Sequence, residues 1–308
     1  IIFGQSPMSF HLINILLNGI AIFLVYILIY KLFDNKMLAI FTALIFAFFP
    51  IHTEAVASIK GRDELLATVF TLSSWLVFLK AVEKDKHHNY KLISLSAFLF
   101  LLAIFSKETI ISVAPALFIF IHWIAKKPKL IDIFKISIPY IALILIYLLI
   151  RYWVLGEYSL GGNAGYFIIN PLKESDVLTR IQTAFKLAYL YIQKTFFPFN
   201  LSATYAFNQV ELVSNPLSSW EFFAGIFLFI LLIGTIFSSI FFKNLRYITI
   251  VGVGAAIFLI SYFMFSKFVF MGGDILAERW MYFPSVGLAL ILGYVIYLIH
   301  QYNKWGGA

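Results

Sequence analysis

The chain has 308 residues, of which 62% are hydrophobic and only 12% charged, about half the charged fraction of an ordinary water-soluble domain. A mean hydropathy of +0.92 excludes a soluble globular protein and indicates a single membrane domain. The absence of cysteine excludes disulfides, cysteine nucleophiles and cysteine-ligated metals. The net charge of +8 does not indicate a nucleic-acid partner, because the Lys and Arg residues lie in short loops between apolar runs.

Long apolar runs predict the transmembrane helices, since a helix needs about 20 mostly apolar residues to cross a bilayer. Runs free of Asp, Glu, Lys and Arg lie at 10–30, 37–53, 65–79, 92–106, 109–125, 136–150, 222–242, 247–266 and 280–303. The sequence therefore predicts an all-α polytopic membrane protein with about nine transmembrane helices, forming one domain over residues 1–308.

The distribution of Lys and Arg predicts which connections are external. Most of them fall in alternate connections on one side, which marks that side as cytoplasmic. The stretches on the opposite, external side are 1–9, 49–68, 107–108, 151–221 and 267–279. Because the chain begins outside, we expect a first transmembrane helix and a first external loop upstream of residue 1.

The external segment 151–221 is too long for a simple connection, and long loops in compact proteins are usually functional. Its apolar stretch 180–198 carries Arg180, Lys186 and Lys194 and stops at Pro198. We interpret this stretch as an amphipathic helix that lies in the membrane interface.

Three external loops each combine basic and acidic side chains at the ends of predicted spans. The residues concerned are His52, Glu54, Arg62, Asp63 and Glu64 in the first loop, Lys107 and Glu108 in the second, and Asp274, Glu278 and Arg279 in the third. Charges at membrane depth tend to face a bundle interior and to pair. The clusters predict one outward-facing site for a phosphate-bearing lipid, in which Arg and Lys bind phosphate oxygens and a carboxylate takes a proton from an acceptor hydroxyl. The alternative for any single residue is interfacial anchoring.

Metal chemistry is not indicated by the motifs. His52 and Glu54 match half of a zinc-deaminase signature, but the other half requires cysteines that the chain lacks. Neither an HExxH nor a Walker A pattern occurs. We predict no metal and no cofactor.

Five blocks resemble a known family in order and spacing. They are FHLINILLNG (10–19), FFPIHTEAVASIKGRDELLA (49–68), FSKET (105–109), FPFNLSATYAF (197–207) and LAERWMYFPSVG (276–287). Together they resemble the membrane domain of the TMTC-type protein O-mannosyltransferases, which are GT-C glycosyltransferases that use polyprenyl-phosphate sugars.

The resemblance implies roles for these residues in an inverting, metal-independent sugar transfer. It places Arg62 at the donor phosphate, with Lys107 and Arg279 as helpers. Supporting or acceptor-path roles are implied for His52, Glu54, Asp63, Glu64, Glu108, Asp274, Glu278 and Tyr205. The catalytic base is expected in the loop upstream of residue 1, and Thr204 stands where relatives often have Asp.

The function predicted from the sequence is transfer of a sugar, with mannose as the candidate, from a polyprenyl-phosphate donor to an acceptor such as protein Ser or Thr, or a glycan. The active face is expected to be external, with the bacterial inner membrane preferred over an endomembrane. Two alternatives remain open: a transporter or flippase of a lipid-linked or anionic substrate, and a non-catalytic scaffold.

Overall fold

The computed structural model describes residues 7–82, 89–113, 130–156, 170–202, 205, 208–242, 246–271 and 273–306, and these residues form helices and loops without a strand. The α-helices are α1 (Pro7–Phe33), α2 (Lys36–Phe48), α3 (Thr53–Ala57), α4 (Arg62–Val82), α5 (Tyr90–Ser106), α6 (Leu130–Leu155), α7 (Val177–Phe196), α8 (Trp220–Phe241), α9 (Arg246–Tyr262) and α10 (Ser285–Gly306). Short 3-10 turns include Pro50–His52, Ile59–Gly61, Glu108–Ser112, Phe263–Phe265 and Glu278–Met281. The predicted all-α fold is confirmed.

Six helical segments of the described chain are long and apolar enough to cross a membrane: Pro7–Phe33, Ile59–Val82, Phe134–Leu155, Trp220–Phe241, Tyr247–Phe265 and Ser285–Tyr302. A seventh span is possible if the pair Lys36–Phe48 and Pro50–Ala57, bent by 54°, counts as one. Helix α5, at 17 residues, is shorter. The chain is an integral multi-pass membrane protein, but the predicted count of nine is not confirmed.

One predicted segment lies mostly outside the described residues, and another differs in extent from the structure. The run at 109–125 lies mostly outside the described residues, as does Thr204. Helix α6 continues to Leu155, into the segment predicted as a loop from residue 151, because its apolar sequence extends past Arg151. The predicted amphipathic stretch forms helix α7, and its place in the membrane interface stays a prediction.

Polar caps fix where several helices begin. Asn35 accepts a hydrogen bond from the Leu38 N–H at the start of α2, and Asn89 accepts one from Leu92 at the start of α5. Asp176 accepts two, from Leu178 and Thr179, at the start of α7. Each side chain satisfies N–H groups that the first helical turn leaves without an intrahelical partner.

The helices pack as a chain of neighbours. In order of contact they run α6, α5, α4, α1, α2, α10, α9, α8 and α7. At one end of the bundle, the turn Glu108–Ser112 after α5 contacts the turn Phe263–Phe265 after α9. The same end carries the loops that hold the three charged clusters, so the fold brings together segments that are distant in sequence.

Candidate functional site

The connection from α2 to α4 forms one wall of the site. Phe49 has an extended backbone, Pro50 starts a 3-10 turn, and the chain then folds through α3 before α4 begins at Arg62. A Cβ on Gly61 would lie 2.1 Å from the Ala55 carbonyl oxygen, so the turn requires glycine there. The buried Asn14 of α1 secures this turn by donating to the carbonyl oxygens of Val56 (3.1 Å) and Ser58 (2.8 Å).

Arg279 lies between two carboxylates. Its backbone N–H donates to Glu54 Oε2 at 2.8 Å, and its guanidinium Nη1 donates to the other oxygen of Glu54. The guanidinium Nη2 donates to Asp274 Oδ2 at 2.8 Å. All three side chains are largely buried, so the pairs are screened less by solvent than surface ion pairs. Arg279 therefore joins the first and third predicted clusters.

Lys107 joins the second cluster to the first. Its Nζ lies 2.6 Å from Asp63 Oδ2 and 3.1 Å from Glu64 Oε1. Burial lowers the pKa of Lys107, but the two carboxylates raise it by more, so that the net shift is upward. The guanidinium of Arg279 is also close enough to Glu64 to interact with it electrostatically. The two ion-pair groups thus lie close together, and they are called the charged network below.

Glu278 anchors the loop after α7. Its Oε1 accepts hydrogen bonds from the Ser202 N–H (2.7 Å) and from the Tyr205 hydroxyl. Burial raises the pKa of Glu278, and the hydrogen bonds from Tyr205 and Ser202 oppose that shift. The Lys194 ammonium lies 4.8 Å from the centroid of the Tyr205 ring. Tyr205 is therefore buried between Glu278 and Lys194 rather than exposed to solvent.

Arg62 differs from Lys107 and Arg279 in its contacts. Its Nε donates to Asn14 Oδ1 at 3.3 Å and its Nη2 donates to the Phe10 carbonyl oxygen at 3.4 Å, while the guanidinium lies 5.2 Å from the Phe10 ring centroid. Among the described residues, no carboxylate lies within ion-pair distance of it. Since an arginine carries five N–H donors, the half-buried Arg62 retains donors for an anion.

His52 lies beneath the network. Its Nε2 is 2.7 Å from the Ser285 hydroxyl, and its ring packs against Phe46 and Tyr282. It is 5% exposed. His52 therefore links α10 to the turn before α3.

Glu108 is the predicted site residue that the structure places elsewhere. Its carboxylate is 3.8 Å from Arg151 Nη2 on α6 and is about half exposed. Although it follows Lys107 in sequence, its side chain is directed to a different helix. The other predicted site residues lie in the contacts described above. Within the described part of the chain, no group of three or more His, Asp or Glu side chains is arranged to hold a metal ion.

Two residues of the site were not predicted from the sequence. Asn14 is a polar residue within an apolar run, which was the available signal for a buried structural contact. The sequence places Lys267 in the external loop 267–279 and assigns it no role in the site. In the structure it is buried, with its ammonium 4.7 Å from the centroid of the Trp280 ring. Hydropathy treats lysine as exposed, so only the tertiary structure could place it.

An apolar recess lies between α2 and α10. It has a volume of about 390 Å³ and is lined by Phe41, Leu44, Ile45, Phe48, Phe49 and Ile296. Phe49 also contacts the ring of His52. The recess therefore extends from the apolar side of the bundle toward the buried histidine.

A family model described as dolichyl-phosphate-mannose-protein mannosyltransferase matches residues 1–154, which is half of the chain. This match includes the Arg62 turn and the Lys107 segment. The resemblance to GT-C mannosyltransferases predicted from the five sequence blocks is confirmed.

Several curated relatives match as well. Protein O-mannosyl-transferase TMTC4 of Homo sapiens is 25% identical over 343 aligned positions, covering 98% of this chain and 46% of that protein. Protein O-mannosyl-transferase F38B6.6 of Caenorhabditis elegans is 26% identical over 292 positions, covering 93% and 39%. Protein O-mannosyl-transferase TMTC3 of Mus musculus is 37% identical over 108 positions, covering 35% and 12%. The chain spans less than half the length of these relatives, and no solved structure matches it significantly.

Proposed function

Since the chain belongs to the dolichyl-phosphate-mannose-protein mannosyltransferase family, we propose that it is the membrane domain of a glycosyltransferase. The proposed reaction moves mannose from a polyprenyl-phosphate donor to a Ser or Thr hydroxyl of a protein on the external face. The relatives named above are protein O-mannosyl-transferases, which supports the sugar and the protein acceptor.

The observation that carries the proposal is the set of contacts that the Arg62 guanidinium makes. Among the described residues, its half-buried guanidinium contacts Asn14 and the ring and carbonyl of Phe10 and pairs with no carboxylate, while Lys107 and Arg279 are engaged by carboxylates. A planar guanidinium with remaining donors suits phosphate oxygens. Arg62 is therefore the proposed donor-phosphate residue, and Lys107 and Arg279, each held by its carboxylates, are the proposed helpers that add positive charge near the phosphate.

The chemistry of the transfer explains why a cation is needed. The acceptor hydroxyl oxygen forms a bond to the anomeric carbon of mannose while the bond from that carbon to the phosphate oxygen breaks. The polyprenyl phosphate leaves with the additional negative charge, and the hydroxyl proton passes to a base. A fixed cation at the phosphate stabilises that developing charge.

The apolar recess supports a lipid carrier. Its lining is entirely hydrophobic, and it lies between two membrane helices. An isoprenoid chain in this recess would bury apolar surface beside Phe49, next to the turn that leads through α3 to Arg62. We propose that the transfer needs no metal and no further cofactor, as the resemblance implies.

The transporter alternative is supported less well. Transporter sites lie near the bilayer midplane, often at broken helices, and the bent pair α2 and α3 is the one such feature identified among the described residues. The charged network instead lies where the spans end. We propose a bacterial inner membrane as the location, as preferred from the sequence. The curated relatives named above, by contrast, are animal proteins.

Donor binding tests the proposal directly. The purified protein in lipid nanodiscs would be titrated with a polyprenyl phosphomannose, and binding compared between the unaltered protein, Arg62→Ala and Arg151→Ala. Arg151 serves as the matched control because it is also a basic residue at a helix end but pairs with Glu108. We expect saturable binding that Arg62→Ala reduces at least about ten-fold, as for a lost charged hydrogen bond, and that Arg151→Ala preserves. Binding that is unaffected by Arg62→Ala would remove this residue from the donor site.

A further inference from the structure

Lys267 has an unusual position for a lysine. It is 1% exposed, and its backbone φ is +65°, in the left-handed region that residues other than glycine rarely adopt. Its ammonium lies 4.7 Å from the centroid of the Trp280 ring. Uncommon backbone conformations persist where the surrounding structure requires them, and they cluster at functional sites.

Trp280 and Asp274 connect Lys267 to Arg279. The Arg279 guanidinium lies 5.7 Å from the centroid of the same Trp280 ring. Gly273, with φ +70°, leaves room for that ring, because a Cβ there would come within 3.2 Å of it. The carboxylate of Asp274 binds Arg279 at 2.8 Å and interacts electrostatically with Lys267. One carboxylate thus interacts with two cations at one aromatic ring.

We propose that Lys267 is a positioning residue that competes with Arg279 for Asp274 and thereby sets how strongly Arg279 attracts the donor phosphate. With Lys267 charged, Asp274 is shared, and Arg279 is neutralised less completely. With Lys267 neutral, Asp274 acts on Arg279 alone. The inference rests on the proposed function, because the anion concerned is the phosphate of the lipid-linked donor.

The charge of Lys267 changes in the physiological range. Burial is the main cause that lowers the pKa of Lys267 to about 7; Asp274 opposes the shift and the nearby Lys173 adds to it. Glu108, on the turn packed against Phe263–Phe265, is directed to Arg151 instead. Lys267 is therefore charged below about pH 7 and neutral above it. Donor binding should be tighter on the acidic side of this transition.

The test is a pH series of donor affinity in nanodiscs between about pH 5.5 and 8.5. The probe is a polyprenyl phosphomannose, a phosphodiester whose own charge is constant over this range. For the unaltered protein, we expect affinity to fall about five-fold as pH rises through 7, the size of one partly screened charge interaction. Lys267→Met should show weak binding and Lys267→Arg tight binding, each with a smaller step than the unaltered protein because the contribution of Lys267 is removed.

Lys173→Met is the matched control. Removing this neighbour should keep the step and shift its midpoint to higher pH, because the repulsion that lowers the pKa of Lys267 is lost. A step in Lys267→Arg that is as large as in the unaltered protein contradicts the inference and leaves the proposed function standing. This variant decides the question even if Lys267→Met does not fold. A failure of the unaltered protein to bind the probe at any pH contradicts the proposed function and this inference together.

Discussion

Arg279 and Glu54 are 225 positions apart in sequence and are joined through both the backbone N–H and the guanidinium of Arg279. The two contacts use both oxygens of the Glu54 carboxylate. They fix the turn Glu278–Met281 against helix α3, so that Glu278 is directed to Tyr205 on one side and Asp274 reaches Arg279 on the other. This pairing connects helix α3 to the turn that precedes α10.

Glu54→Gln should destabilise the protein strongly. The substitution keeps the shape but leaves Arg279 with Asp274 alone, and breaking a buried ion pair costs about 3 kcal/mol. A fall in the thermal unfolding midpoint of the detergent-purified protein would be measured by tryptophan fluorescence. Glu108→Gln is the control, since that carboxylate is half exposed and 3.8 Å from its partner. Equal midpoints for both variants would show that the Glu54 pair contributes no more than a surface pair.

Lys107→Met should expose the repulsion between Asp63 and Glu64, whose shared cation is removed. We expect a loss of about 3 kcal/mol of stability, which the second change Asp63→Asn should partly restore because one negative charge is withdrawn. A double-mutant cycle on the unfolding midpoint would measure this. Strictly additive effects of the two changes would contradict a direct interaction.

Gly61→Ala should disrupt the turn that carries Arg62. The added Cβ would lie 2.1 Å from the Ala55 carbonyl oxygen, so the backbone of the turn must move. Gly19→Ala on α1 is the matched control, because nothing lies within 4 Å of a Cβ there. Folded yield and donor affinity should fall for the first variant and stay unchanged for the second. A normally folded Gly61→Ala protein would mean that the turn is adaptable.

Tyr205→Phe should loosen the loop after α7 without unfolding the bundle. The change removes the hydroxyl that donates to Glu278 and leaves the Ser202 contact in place. Loss of a hydrogen bond to a charged group costs about 1.5 to 3 kcal/mol. Hydrogen exchange of peptides covering 197–210 should become faster, while exchange in α9 and α10 should not change. Unchanged exchange in the loop would show that Ser202 alone holds it.

The sequence predicted the membrane class and most spans because the length of an apolar run can be read directly from neighbouring residues, without knowledge of the tertiary structure. It did not predict the break after Phe48, although Pro50 within the apolar run was a signal for one. The three charged loops were expected to converge, but the pairing of Lys107 with Asp63, and of Arg279 with Glu54, depends on how distant helices pack. Glu108 points away because adjacent residues at the start of a 3-10 turn project in different directions.

The most direct measurement of the central claim is mannose transfer itself. Membranes containing the protein in its full-length form would receive a polyprenyl phosphomannose labelled in the sugar, and label in protein Ser or Thr would be quantified for the unaltered protein, Arg62→Ala and Arg151→Ala. The account predicts transfer that requires Arg62 and does not require Arg151. Transfer that continues undiminished in Arg62→Ala membranes would contradict it.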